Sequence, residues 1–259
     1  MALVLALPAG LQAAVVGRIV QVEGQVDLLK QGKMPALPAK VEDAVEPGDV
    51  LRTKTGSKAQ VRFVDDTTLT LAPGTRVAIE EYLYDAEKGQ RQGVIQVFRG
   101  MVQAVVTRLM KAEKPDLIMK THTAVMGVRG TKWFAILAPT DTDIYNEEGK
   151  LAVKNLLPEI GGEVSVGAMQ FTRVGTDIPP TVPMVFSTED LLLLQHQLST
   201  GPGKRAGGGD GLQRQAQTQL SLASLAAVYN PMVNPINDPR TLTFAVPPTI
   251  RPIVPPVVV

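Results

Sequence analysis

Polar and apolar side chains alternate along most of the chain between residues 17 and 175. The alternation is clear in Lys58–Phe63 and in Thr68–Leu71, where every second residue is apolar. A period of two places successive side chains on opposite faces of a β-strand. Turn residues separate such segments about every ten positions, as at 47–49. The pattern predicts a mainly β domain over residues 17–175, built as a sandwich, barrel or solenoid.

The strand pattern continues through the second half of this domain. Residues 93–98 and 101–106 predict two strands on either side of a turn at Arg99 and Gly100. Further strand candidates cover residues 117–121, 131–137, 151–154, 163–166 and 168–174. We expect the domain to end with the last of these.

The pattern changes after the β domain. Residues 176–186 contain several prolines and predict a linker. Ser187 is followed three positions later by Asp190, which is a helix-capping signal, and residues 187–229 predict one or two helices around a glycine-rich loop. Residues 230–259 are rich in proline and predict an extended tail. The tail is either a disordered end or an arm that binds a partner or a second copy.

Residues 1–16 form an uncharged apolar segment that ends in small residues. Such a segment is typical of a secretory signal peptide, with cleavage near Ala13 or Ala14. No basic residues precede it, so the alternative is a buried strand or helix of a cytosolic protein. Pro8 and Gly10 interrupt the segment, and it is too short for a transmembrane helix. We therefore expect a periplasmic or secreted protein of a Gram-negative type of bacterium, without an integral membrane span.

Charge and residue usage narrow the function further. The 26 lysines and arginines balance 25 acidic residues, so there is no overall positive field for nucleic acid. The absence of cysteine excludes disulfides, thiolate catalysis and cysteine-bound zinc. His122 and His196 lie far apart and have no acidic residue at ligand spacing. The sequence thus predicts no metal, no cofactor and no catalytic residue, and we expect a protein that is not an enzyme.

Two glycines, Gly127 and Gly130, bracket Arg129 within a strand-like segment. Paired glycines in such a position permit a bulge, a sharp corner or a close backbone approach. Arg129 either donates to loop carbonyls or to a carboxylate such as Asp49 or Asp66, or it faces a ligand.

Aromatic residues make up only 4% of the chain. Trp133 and Phe134 are neighbours in a predicted strand, so they face opposite sides and one of them belongs to the core. Tyr82 and Tyr84 share a face, where they either cover an edge of the fold or stack on sugar or peptide. The candidate binding residues are Arg129, Trp133, Tyr82 and Tyr84.

Six fragments, in this order along the chain, resemble the signature of the FecR domain family: 47–53, 56–63, 66–71, 73–75, 98–102 and 121–134. The resemblance implies a β-solenoid-like or rolled fold of bacterial envelope proteins. Its best-known members are membrane regulators that relay a signal from an outer-membrane receptor to a sigma factor, and others are stand-alone secreted proteins, which this chain resembles more. The structural motif residues within the fragments are Gly48, Asp49, Gly127, Gly130 and Thr131.

These observations favour an extracytoplasmic protein-interaction module that acts as a sensor component or a scaffold of the bacterial envelope or surface. Its expected partner is an envelope protein or a second copy of the chain. The alternative is a binder of peptidoglycan or another cell-wall glycan, and an envelope hydrolase is a third hypothesis.

Overall fold

The structure is a computed structural model that describes residues 14–109 and 115–198. By its internal packing the chain divides into two units, residues 1–200 and 201–259, and every described element belongs to the first unit. Most of the predicted signal-like segment lies outside the described residues. The glycine-rich loop, the second helix candidate and the tail at 230–259 also lie outside them. The predicted domain boundaries stay predictions.

The described part of the chain is mainly β, which confirms the predicted fold class. One α-helix, α1, covers Thr188–Leu198, and two short 3-10 segments cover Lys30–Gly32 and Pro158–Ile160. The strands are β1 Gly17–Glu23, β2 Val26–Leu29, β3 Leu37–Pro38, β4 Ala44–Val45, β5 Val50–Thr53, β6 Lys58–Phe63, β7 Thr68–Leu71, β8 Arg76–Asp85, β9 Gln90–Val105, β10 Leu117–Lys120, β11 Ala124–Val128, β12 Lys132–Leu137, β13 Asp141–Glu148, β14 Leu151–Asn155, β15 Glu163–Val166, β16 Gln170–Gly175 and β17 Met184–Val185.

The strands form one hydrogen-bonded network that folds into two layers sharing β9. Sheet A has the order β4, β1, β6, β7, β9, β12, β13, β16, β17. Sheet B has the order β3, β2, β5, β8, β9, β10, β11, β14, β15. Neighbouring strands are antiparallel except β9 and β10, which run parallel. The chain passes back and forth between the layers, which gives a rolled architecture.

Strand β9 replaces the two strands predicted around Arg99 and Gly100. Its first part pairs with β8 and β10 in sheet B, and its last part pairs with β7 and β12 in sheet A. The backbone bends at Gly100, where φ is +92° and a β-carbon would lie 2.6 Å from the Cα of Thr75. Only glycine tolerates both conditions, so the predicted turn is a bend within one strand.

The main hydrophobic core lies between the two sheets. Ile19 and Trp133 of sheet A meet Ile79 and Met126 of sheet B, and all four side chains are completely buried. Burial alternates along β6 as the period of two predicts. Sheet A and sheet B therefore each turn an apolar face inward.

A second, smaller core lies on the outer face of sheet A, beneath α1. Phe134 and Met101 pack there against Leu194 and Leu198 of the helix. The helix begins at the predicted cap: Ser187 Oγ donates to Asp190 Oδ2 at 2.7 Å and accepts from the Asp190 N–H at 3.1 Å. Phe134 thus faces away from Trp133, and both rings are buried. Within the described residues, no helix is long and apolar enough to cross a membrane.

Candidate functional site

Three chain segments meet at the corner that follows β11. Gly130 has a φ of +83°, and a β-carbon there would lie 2.8 Å from the Cα of Arg108. A β-carbon at Gly149 would lie 2.7 Å from the carbonyl oxygen of Gly130. The Val106 N–H donates to the carbonyl oxygen of Thr131 at 2.8 Å. The segments that follow β9, β11 and β13 are therefore held together by close backbone packing.

This corner brings three basic side chains to one groove of about 500 Å³, namely Arg108, Arg129 and Lys150. Arg108 and Lys150 are exposed, and Arg129 is half-buried. Among the described residues that line the groove, Glu163 is the one carboxylate. Among these described residues the balance of charge is positive.

The floor of the groove consists of small residues on the outer face of sheet B. Gly127, Ala152 and Ser165 are direct cross-strand neighbours on β11, β14 and β15. Pro115 covers one end of this floor, since a β-carbon at Gly127 would lie 3.1 Å from its ring. We call the three basic residues together with this floor the basic groove.

The aromatic binding candidates take different positions. Trp133 has no exposed surface, and Tyr82 is 1% exposed with its ring stacked on Phe63 at a centroid distance of 4.3 Å. Burial in the core argues against a ligand-binding role for either ring, because neither offers a face to solvent. Tyr84 is half-buried and lines a second groove of about 760 Å³ on sheet B, beside Leu83 and Ile118. Its role in binding stays a prediction.

Asp49 organises the turn before β5. Its carboxylate is completely buried and accepts from Lys30 Nζ at 2.7 Å and from the N–H groups of Gln31 and Glu46 at 2.9 Å each. Burial alone lowers the pKa of Lys30, but the bonds to Asp49 and Glu46 outweigh it and raise that pKa. Gly48, with a φ of +90°, lets the chain turn directly before this carboxylate.

The remaining motif residues differ in exposure. Thr131 is buried beside the corner at Gly130. Asp66, one of the carboxylates considered for Arg129, is exposed and has a φ of +64° in the turn before β7. Aspartate is one of the few residues that adopt this left-handed conformation in a turn.

A buried polar network escaped the sequence analysis. The side chain of Arg91 is fully buried and donates to Asp65 Oδ2, to Thr67 Oγ1 at 2.9 Å and to Asp116 Oδ1 at 2.6 Å. Tyr82 Oη donates to Asp65 Oδ1 at 2.9 Å. Arg91 occupies an inward position of β9, and a charge on an apolar face requires a buried partner. That signal was available in the sequence.

Neither histidine is placed for metal binding. His122 and His196 are both exposed. Within residues 14–109 and 115–198, no group of three or more histidine, aspartate or glutamate side chains could hold a metal ion.

One protein-family model matches part of the chain. The model of the family described as FecR protein matches residues 49–152, a range that includes Arg108, Arg129, Lys150 and two of the three floor residues. No curated protein matches the chain.

Two crystal structures of a proposed anti-sigma factor from Parabacteroides distasonis ATCC 8503 are similar to the chain. Each is 15% identical, with TM-scores of 0.45 and 0.44. The alignments cover 56% of this chain and 63% and 64% of those chains. The chain thus spans less than two thirds of the length of these structures.

Proposed function

We propose that the chain, whose residues 49–152 match the FecR family model, is a non-catalytic protein-binding module that serves as a sensor component or scaffold outside the bacterial cytoplasm. The observation that carries the proposal is that all three basic residues of the basic groove and two of its three floor residues lie within the FecR match. Arg108, Arg129 and Lys150 belong to the matched residues and converge on one open surface. A charged, open surface within the matched range supports a role in binding.

The chemistry of the groove suits recognition. Close packing positions the backbone at Arg108 and beside Lys150, and the floor of the groove offers small residues that a partner can approach closely. General acid–base catalysis would need a titratable group positioned against a reacting proton. The buried network of Arg91, Asp65 and Asp116 has its charges engaged inside the fold, which supports a structural role for it.

The glycan hypothesis has less support. Sugar binding typically uses exposed aromatic faces, and Trp133 and Tyr82 lie in the core. The envelope hydrolase hypothesis gains no support from the groove either. We therefore retain protein binding as the proposed function, with an envelope protein or a second copy as the partner.

A photo-crosslinking amino acid introduced at Ser165 tests this proposal in the native host. Ser165 is exposed on the groove floor. The matched control is the same amino acid at Arg62, an exposed position on β6 of sheet A. We expect a discrete protein adduct from Ser165 and none from Arg62. Equal adducts from both positions, or no protein adduct from Ser165, would contradict the proposal.

A further inference from the structure

We propose that the basic groove binds an acidic, extended segment of the partner protein, an inference that rests on the proposed function and specifies its partner. The sign of the partner's charge follows from the lining residues. Arg108, Arg129 and Lys150 surround the floor, and Glu163 alone among the described lining residues opposes them. Complementary charge steers association and selects partners.

The backbone that carries the basic residues is positioned before any partner arrives. The backbone of Arg108 is fixed against Gly130, and the turn that carries Lys150 is fixed against the Gly130 carbonyl. Arg129 lies directly between Val128, which is buried in the core, and Gly130. Such preorganisation reduces the entropy lost when a charged partner binds.

The shape of the floor favours an extended chain. The three floor residues lie on neighbouring strands, and strands about 4.8 Å apart give a floor about 10 Å across. An α-helix with its side chains is about 10–12 Å in diameter and would rest on the rims of the groove. An extended chain is thinner and can lie on Gly127, Ala152 and Ser165 while its carboxylates reach the basic residues.

The two sheets also differ in how their outer faces are covered. Helix α1 covers Phe134 and Met101 on sheet A. In the part of the chain that the structure describes, the floor of the basic groove carries no comparable helix.

Charge reversal at Arg108 and Lys150 tests the inference. Both residues are exposed, so the double variant R108E/K150E should fold, which its thermal melt will verify. The matched control is R18E/R62E, which reverses two exposed arginines that face each other on β1 and β6. The probe is a fluorescein-labelled six-residue peptide of alternating aspartate and valine, followed by fluorescence anisotropy.

The full-length protein should bind the acidic peptide, and R18E/R62E should bind it equally well. R108E/K150E should bind it at least about tenfold more weakly, because each charge-assisted hydrogen bond that the variant loses contributes strongly to the affinity for the peptide. Binding should weaken with added salt, and a peptide of alternating lysine and valine should bind R108E/K150E more tightly than it binds the unmodified protein.

Three results would overturn the inference: no binding of the acidic peptide, equal binding by both double variants, or stronger groove-dependent binding of a carboxylated oligosaccharide than of the peptide. The crosslinking experiment separates this failure from failure of the proposed function. If Ser165 still gives its protein adduct in the R108E/K150E background, the groove binds a protein, and only the acidic partner is wrong.

Discussion

Gly130 and Arg108 pack backbone against backbone, with only 2.8 Å between the Cα of Arg108 and the position that a β-carbon on residue 130 would occupy. Real β-carbons essentially never come closer than 3.0 Å to a heavy atom outside their own residue and its chain neighbours. The φ of +83° at Gly130 is also one that other residues rarely adopt. The corner that positions the basic groove thus depends on the missing side chain of Gly130.

Replacing Gly130 with alanine should destabilise the protein by about 2–4 kcal/mol, because left-handed strain and steric overlap add together. Gly74→Ala is the matched control. Gly74 has a φ of +72° but nothing within 4 Å of its β-carbon position, so it isolates the strain of about 1–2 kcal/mol. Urea unfolding measures both changes.

Gly130→Val should also lower the melting temperature more than Arg129→Ala does. Equal losses would show that the close contact at residue 130 does not limit the stability of the protein.

The strands were predictable because their signal is local. In β6 and β7 the side-chain period of two is visible in the sequence and matches the observed burial. The continuity of β9 was not predictable, because a bend at Gly100 and a turn there have the same local sequence. What distinguishes them is the pairing of β9 with strands from both sheets.

The site was predictable only where glycines marked it. Gly127 and Gly130 drew attention to Arg129, and the structure places all three on the basic groove. Arg108 and Lys150 carry no local signal, since they reach Arg129 only through packing between distant segments. Tyr82 and Trp133 were singled out as aromatic residues, but residue type alone cannot tell a core ring from a binding ring.

Stability at acidic pH should depend on Asp27. Its Oδ2 accepts from Lys54 Nζ at 2.7 Å and from Arg52 Nη2 at 2.6 Å. The hydrogen bond from Lys54 lowers the pKa of Asp27 below the ordinary 3.8. Burial acts in the opposite direction, and the hydrogen bond from Arg52 lowers the pKa further. The unfolded chain therefore binds this proton more readily than the folded protein.

The stabilisation by Asp27 should be complete above its unfolded pKa and lost as pH falls through the lower folded pKa. Asp27→Asn should therefore unfold more easily than the unmodified protein near neutral pH, and this difference should shrink between about pH 5 and pH 2. Urea midpoints across this range check it, with the exposed Glu87→Gln as control. A difference that stays constant with pH would contradict the assignment.

Helix α1 should contribute to stability through its buried face alone. Leu194 lies on the buried face of the helix, is 2% exposed and packs against Phe134 of sheet A, so Leu194→Ala should cost about 2–4 kcal/mol. Leu192 is 61% exposed on the same helix and serves as the control, with an expected loss below about 0.5 kcal/mol. Denaturant unfolding of the two variants decides whether the helix is part of the cooperative unit.

The apolar segment at residues 1–16 leads us to expect export. Mass spectrometry of protein purified from the native host should find a mature N-terminus near Ala14, and cell fractionation should find the protein outside the cytoplasm. An intact Met1 on protein from the cytosol would instead favour the buried-segment alternative.

The network around Arg91 should be the most sensitive polar feature of the fold. Arg91 is fully buried between Asp65 and Asp116, and its pKa is raised because the bonds to these carboxylates outweigh the effect of burial. Arg91→Met should cost about 3–5 kcal/mol, since it leaves two carboxylates without their cation.

Matched variants separate the loss of charge balance from the loss of packing. Adding Asp65→Asn and Asp116→Asn to Arg91→Met should recover part of the stability, because the uncompensated charges are then removed.

Tyr82→Phe keeps the stacking on Phe63 and loses only the hydrogen bond to Asp65, so it should cost about 1–2 kcal/mol. Urea unfolding gives all these values, and Arg62→Met on the exposed face of β6 is the control. If Arg91→Met is no more destabilising than Arg62→Met, the buried ion network does not hold β9 to the turn before β7.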